Sequence, residues 1–234
     1  TKNSAGTLTL SGVNTYTGVT TINAGTLSVA TIGNGGVAGN LGAATSAAAN
    51  LVLGGGTLQY TGATASTDRS FTLTAATTST IDITVGGTTL TISGASTATT
   101  GGLTKVGSGT LTLSGANLYT GTTTVNDGTL AYGASNVLST GAVTVDGAAA
   151  VLALGSNQSD SVGTVTVANG GSITGTGTSS LTSTGTFEMQ SGSVSAILAG
   201  SGIALNKTTS GTVTLSGVNT YTGATTIAAG TLNA

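Results

Sequence analysis

Six carboxylates, Asp68, Asp82, Asp127, Asp146, Asp160 and Glu188, are the only acids in this 234-residue chain, and it contains no histidine and no cysteine. Those absences exclude a serine triad, a thiol nucleophile and a thiolate metal site together, and no Gly-x-Ser-x-Gly turn occurs. What remains is hydrolysis by paired carboxylates, which needs two acids roughly 5–10 Å apart. Asp127 and Asp146 lie about one turn of a short repeat apart, but each stands immediately before a glycine. Asp-Gly supplies the positive-φ corner of a tight turn, and a corner role is the stronger reading for both. Asp68-Arg69 is the only adjacent pair of opposite charges, and a surface loop is expected there. The segment 33-GNGGVAGN-40 has the glycine texture of a calcium-binding coil but lacks its aspartate. No metal site, cofactor or catalytic residue is expected.

The elements that would position any of these groups follow from composition. Charged residues make up 4% of the chain and hydrophobic residues 38%, against about 25% charged in an average globular domain. With one glutamate and three lysines amid abundant threonine, valine and isoleucine, strands are favoured over helices. Proline is absent; since it cannot donate to a ladder, its absence suits strands paired on both sides. A net charge of −2 with four scattered bases offers no footprint for nucleic acid. No apolar run approaches the ~18 residues of a membrane span, so membrane insertion of this segment is not expected, nor does a signal-peptide pattern open the chain.

The strongest signal is repetition. The line 6-GTLTLSGVNTYTGVTTINAGTL-27 returns as 109-GTLTLSGANLYTGTTTVNDGTL-130 and as 211-GTVTLSGVNTYTGATTIAAGTL-232, a long period of about 103 residues. The motifs are bounded at 6–30, 109–133 and 211–234, within one solenoid segment covering 1–234. Lys2, Lys105 and Lys207 precede the three copies at one repeat position. Inside each copy the Gly-Thr-Leu/Val triplet recurs after 19 residues. Around it the chain alternates, as in Leu8-Thr9-Leu10, Phe71-Thr72-Leu73, Val143-Thr144-Val145 and Val165-Thr166-Val167. A period of two places one set inside and threonine outside. The pattern predicts an all-β chain, a parallel β-helix (β-solenoid) of about twelve coils of roughly 20 residues. Leu8, Leu10, Leu111, Val213, Ile22 and Leu27 are assigned to its core. Asn14, Asn117 and Asn219 are read as corner residues, with Tyr16, Tyr119 and Tyr221 packed over a coil edge. All twelve recurring positions, the lysines included, are read as structural: copies some five coils apart cannot converge on one site. Threonine arrays on a flat face could order water, but their irregular spacing in sequence argues against it.

Lys105-Val106-Gly107-Ser108 leading into the second copy closely resembles the passenger-associated transport repeat of bacterial autotransporters. The copies after Lys2 and Lys207 resemble it equally well, as does the intervening text at 54–74 and 160–178. The resemblance implies a right-handed parallel β-helix, secreted through the type V pathway and displayed on a Gram-negative cell surface. It further implies that the repeats assist export and folding of a passenger that often serves adhesion. A chain that crosses a membrane unfolded is better off without disulfides, and this one has no cysteine.

The function expected is therefore a non-enzymatic, extracellular structural or adhesive rod. Two alternatives stand beside it: a filament or matrix subunit formed by end-to-end stacking, and a β-helix enzyme acting on polysaccharide. Expected partners are further coils or copies at both ends, and host-surface or matrix glycans. Specific function is expected in the unrepeated segments around 31–50, 61–70 and 155–161.

Overall fold

In the computed structural model, which describes residues 1–234, the chain winds into a parallel β-solenoid with a single 3-10 turn at Ala48–Asn50. One sheet runs the length of the rod through eleven strands, from Thr7–Leu10 to Thr225–Ile227. A second has nine strands, from Ala65–Thr67 to Thr231–Asn233. Two three-stranded sheets complete the wall, one built from Thr20–Ile22, Leu51–Leu53 and Thr72–Leu73, the other from Ser159–Val162, Ser180–Ser183 and Ile197–Ala199. The rod makes about eleven turns, slightly fewer than the repeat length suggests. Residues 30–50, between Val29 and Leu51, form an excursion about twice as long as the corresponding connection at 133–142. No helix of the structure is long and apolar enough to cross a membrane.

Alternation along each strand becomes columns along the rod. In the long sheet the inward column reads Leu8, Leu27, Leu58, Ile81, Lys105, Val125, Val145, Val167, Met189. In the second sheet it reads Leu90, Leu111, Leu130, Leu152, Ile173, Val194, Leu215. These columns meet in one continuous apolar cluster of 42 residues. Leu8, assigned to the core, is 44% exposed, because it lies on the first turn with no turn beneath it; Leu10 is half-buried there, while Ile22 and Leu27 are buried.

The outward column beside the first is an unbroken run of eight threonines: Thr7, Thr26, Thr57, Thr80, Thr104, Thr124, Thr144 and Thr166. Their irregular spacing in sequence disappears because loops of different length bulge out at the corners while the strands keep register. The run gives way to Glu188 and Asn206.

Truncation of a column member should be felt in the core and not outside. Leu130→Ala is expected to lower unfolding free energy by about 2–5 kcal/mol, and Thr144→Ala to change it by less than about 0.5 kcal/mol. Urea titration followed by circular dichroism reads both.

Candidate functional site: repeat clips and the crown over residues 30–50

The recurring lysines stand inside the rod. Lys105 and Lys207 are fully buried and Lys2 nearly so, each stacked on an apolar residue of the next turn: Ile22 over Lys2, Val125 over Lys105, Ile227 over Lys207. The ammonium of Lys105 donates to the carbonyls of Val106 (2.8 Å), Gly107 (2.7 Å) and, on the next turn, Asp127 (3.2 Å). Lys2 donates likewise to Ser4 and Ala24, and Lys207 to Thr209 and Ala229. The corner that receives the ammonium carries a glycine with positive φ in every copy: Gly25 (+65°), Gly128 (+60°) and Gly230 (+75°). A Cβ at Gly25 or Gly230 would also run into the lysine Nζ itself. Lysine and glycine together form a clip that fastens one turn to the next. Its acceptors are main-chain oxygens, joined at Lys207 by the Thr209 hydroxyl (3.4 Å), so no carboxylate accepts directly from the buried charge.

The asparagines act as staples between turns. Asn117 Oδ1 accepts from the amide of Ser96, while its Nδ2 donates to Gly115 and to Val137 on the following turn. Asn14 Nδ2 donates to Gly12 and Asn40, and Asn219 Oδ1 accepts from Leu198. Tyr119 does not lie over an edge as expected: it is 1% exposed, and its hydroxyl bonds Thr123 at 2.7 Å. The same tyrosine–threonine bond joins Tyr16 to Thr20 and Tyr221 to Thr225. Tyr221 also packs against Phe187, ring centroids 5.7 Å apart.

The second and third copies lie on the same two sheets, whereas the first occupies a different place on the perimeter. Leu8 lies in the column that holds Lys105, Leu111 belongs to the second sheet, and Val213 pairs with Gly192, leaving Leu215 to continue the column of Leu111. Within the second sheet the third copy is displaced by two residues, so its inward side chains stay inward. The structure thus sets the first copy apart, while the clip and the tyrosine bond inside each are preserved.

The acids are dispersed as well. Asp127 caps its own corner through Gly128 N (2.8 Å), Asp146 accepts from Asn169, Asp82 from Gln59, and Glu188 from Asn206. Asp127 and Asp146 sit on successive turns one residue out of register, since Val125 pairs with Val145. No group of three potential metal ligands forms. Asp160 is buried, accepting from Leu138 N and Ser161 N at 2.8 and 2.7 Å. Burial raises its pKa above the usual carboxylate range, opposed by those two amides. The hydroxyl of Tyr132 faces this carboxyl from within the core without a hydrogen bond of good geometry.

Arg69 departs furthest from expectation. It is no surface residue: 3% exposed, its guanidinium donates to the carbonyls of Gly33 (2.9 Å), Ala44 (3.1 Å), Gly42 (2.8 Å) and, more weakly, Asn34 (3.4 Å). Asp68 meets the same segment from outside, accepting from Gly35 N at 2.7 Å while its own amide donates to Asn34 Oδ1. Segments 31–50 and 61–70 are therefore brought together as one crown on the side of the rod, whereas 155–161 lies on later turns. Lys105, Arg69 and Asp160 share a signal that the sequence does carry. Each falls on inward parity, with Leu103, with Phe71 and Leu73, and with Val162 respectively.

A long parallel β-solenoid fastened by recurring corner clips defines a class of extended repeat rods. Within it the chain belongs to the autotransporter passenger domains that carry passenger-associated transport repeats: residues 1–29, 103–131 and 205–234 match that repeat family and contain the three clips. Over 240 residues the chain is 45% identical to a protein named Adhesin BmaC autotransporter, from Brucella suis biovar 1 (strain 1330), an alignment covering 97% of this chain. The chain spans 7% of that relative's length. No solved structure matches it.

Two predictions follow from the clip and the staple. Burial lowers the Lys105 pKa from 10.5 to about 8, with Asp127 and Asp82 pulling it back up. The unfolded lysine keeps its proton to higher pH than the folded one, so stability rises with pH above about 8. Buried Tyr60, Tyr119 and Tyr132 have raised pKa values and reverse the trend beyond about pH 10, where the unfolded phenols ionise first. Thermal melts should thus show a Tm that climbs between about pH 8 and 10, with the climb missing in Lys105→Met. Asn117→Ala orphans the buried Ser96 amide, while the Val137 carbonyl keeps the Asn117 main-chain amide as donor, and is expected to cost about 1–3 kcal/mol in chemical denaturation, where Asn117→Asp should cost less.

Proposed function

We propose that this chain is a stretch of a non-enzymatic, surface-displayed adhesive rod of a Gram-negative bacterium, in which the repeats serve as scaffold and assist export and folding. The adhesin name and 45% identity of the relative support the adhesive reading. One observation carries the scaffold reading: every clip closes between residues 22 apart, within a single motif, whichever face of the rod the motif occupies. A contact of that range forms as soon as two turns are available and does not wait for the remainder of the chain. Emerging polypeptide can then lock two turns at a time, and stability accumulates by nearest-neighbour stacking.

Deletion of this segment from the full-length gene product is expected to weaken attachment of cells to host-surface or matrix glycans. The triple variant Lys2→Ala, Lys105→Ala, Lys207→Ala should slow appearance of the passenger at the cell surface. Undiminished attachment would overturn adhesion, and unchanged export kinetics the folding role. Glycan cleavage by the purified chain, abolished by substitution of one of its aspartates, would replace the proposal with an enzymatic one.

A further inference from the structure

The carbonyls of Gly33, Asn34, Gly42 and Ala44 converge on one point, and that point is occupied by a guanidinium from a different turn. Backbone oxygens aimed inward from a glycine-rich loop are the ligand type of a hard-cation site. Here the cation is covalently part of the chain. We infer that residues 33–44 form a cation-binding cradle specific for a planar guanidinium, filled by Arg69, and that its filling latches the crown over residues 30–50 onto the rod as a unit separable from the coils.

Several observations support a distinct unit. The crown has apolar feet of its own in Ile32, Leu41 and Ala44, all buried. Gly36 and Gly42 hold positive φ, at +81° and +69°, and this bends the carbonyls toward one centre. Asn40 ties the near edge, accepting from Ala30 N and Thr31 N and donating to Gly12. The cradle is unequally dependent on Arg69. The Gly33 oxygen also accepts from Thr67 Oγ1 and the Ala44 oxygen from Gly36 N. For the Gly42 carbonyl, which is buried, Arg69 is the hydrogen-bond donor. The fork geometry matters, because Nε, Nη1 and Nη2 reach carbonyls in different directions at once and a lysine ammonium of similar reach offers no such plane. Loss of the guanidinium therefore leaves the buried Gly42 carbonyl unmet in the crown, while the ladders of the long sheet pass beneath it through Leu27 and Leu58 unaltered.

Hydrogen exchange by mass spectrometry on the full chain tests this, comparing peptides from 30–50 with peptides from 103–131. In Arg69→Ala, exchange in 30–50 should accelerate at least tenfold and that in 103–131 stay within twofold of wild type. Millimolar methylguanidinium should restore protection saturably, whereas the same concentration of sodium or tetramethylammonium chloride should not. Arg69→Lys, which preserves charge and most of the volume, should remain accelerated, and it serves as the test variant should Arg69→Ala fail to fold. The inference is overturned if exchange in 30–50 is unchanged, if both regions accelerate alike, or if methylguanidinium restores nothing.

Discussion

Each turn of this chain is hydrogen-bonded to the turn before and the turn after through parallel backbone ladders, and that stacking, at roughly 4.8 Å per rung, is the constraint to which everything else conforms. It demands that side chains of equal parity superimpose. A column can tolerate a change of size, as from Leu8 to Met189, provided the neighbours above and below fill the difference. It cannot tolerate a one-residue slip, which would turn the column inside out. The two-residue displacement of the third copy, which puts Leu215 rather than Val213 in the column of Leu111, follows from the same rule.

Stacking explains why the few charged side chains inside the rod are fastened to backbone oxygen. A strand offers its own carbonyls only at its ends, where the ladder turns a corner. Lys2, Lys105 and Lys207 reach such corners from the preceding turn, and Arg69 reaches the bent loop over 33–44. In each case a cation neutralises carbonyl dipoles that the regular ladder leaves over. With charged residues at 4% of the chain, carboxylates are too sparse to serve as direct counter-ions, and at Lys105 burial lowers the pKa accordingly.

The arrangement also bears on how a rod of this kind can be assembled. Contacts inside a motif are closed by residues 4 to 22 apart, as with Tyr119 to Thr123 and Lys105 to Asp127. Those beyond a motif are carried by the ladders and by the asparagine staples, which reach the neighbouring turns. The first copy can thus sit on a different face from the other two without loss, and the intervening turns are free to vary in loop length and to carry an insertion such as the crown.

The fold was legible in the amino acids because a solenoid is nearly one-dimensional. Alternation, the 19-residue echo of Gly-Thr-Leu and the want of proline fix parallel strands, their inward faces and their corners without reference to distant residues. Lys105, Arg69 and Asp160 also fall on inward parity, a signal that the surface-loop expectation at Asp68-Arg69 passed over because charge invites the opposite reading. Only the tertiary structure decided what those side chains would meet there. Whether Arg69 faces solvent or four carbonyls depends on how the loop at 33–44 folds back over the next turn. Whether Leu111 and Val213 share a column depends on the summed lengths of the loops between them. Those are sums over many weak local choices, and no short stretch of sequence contains them.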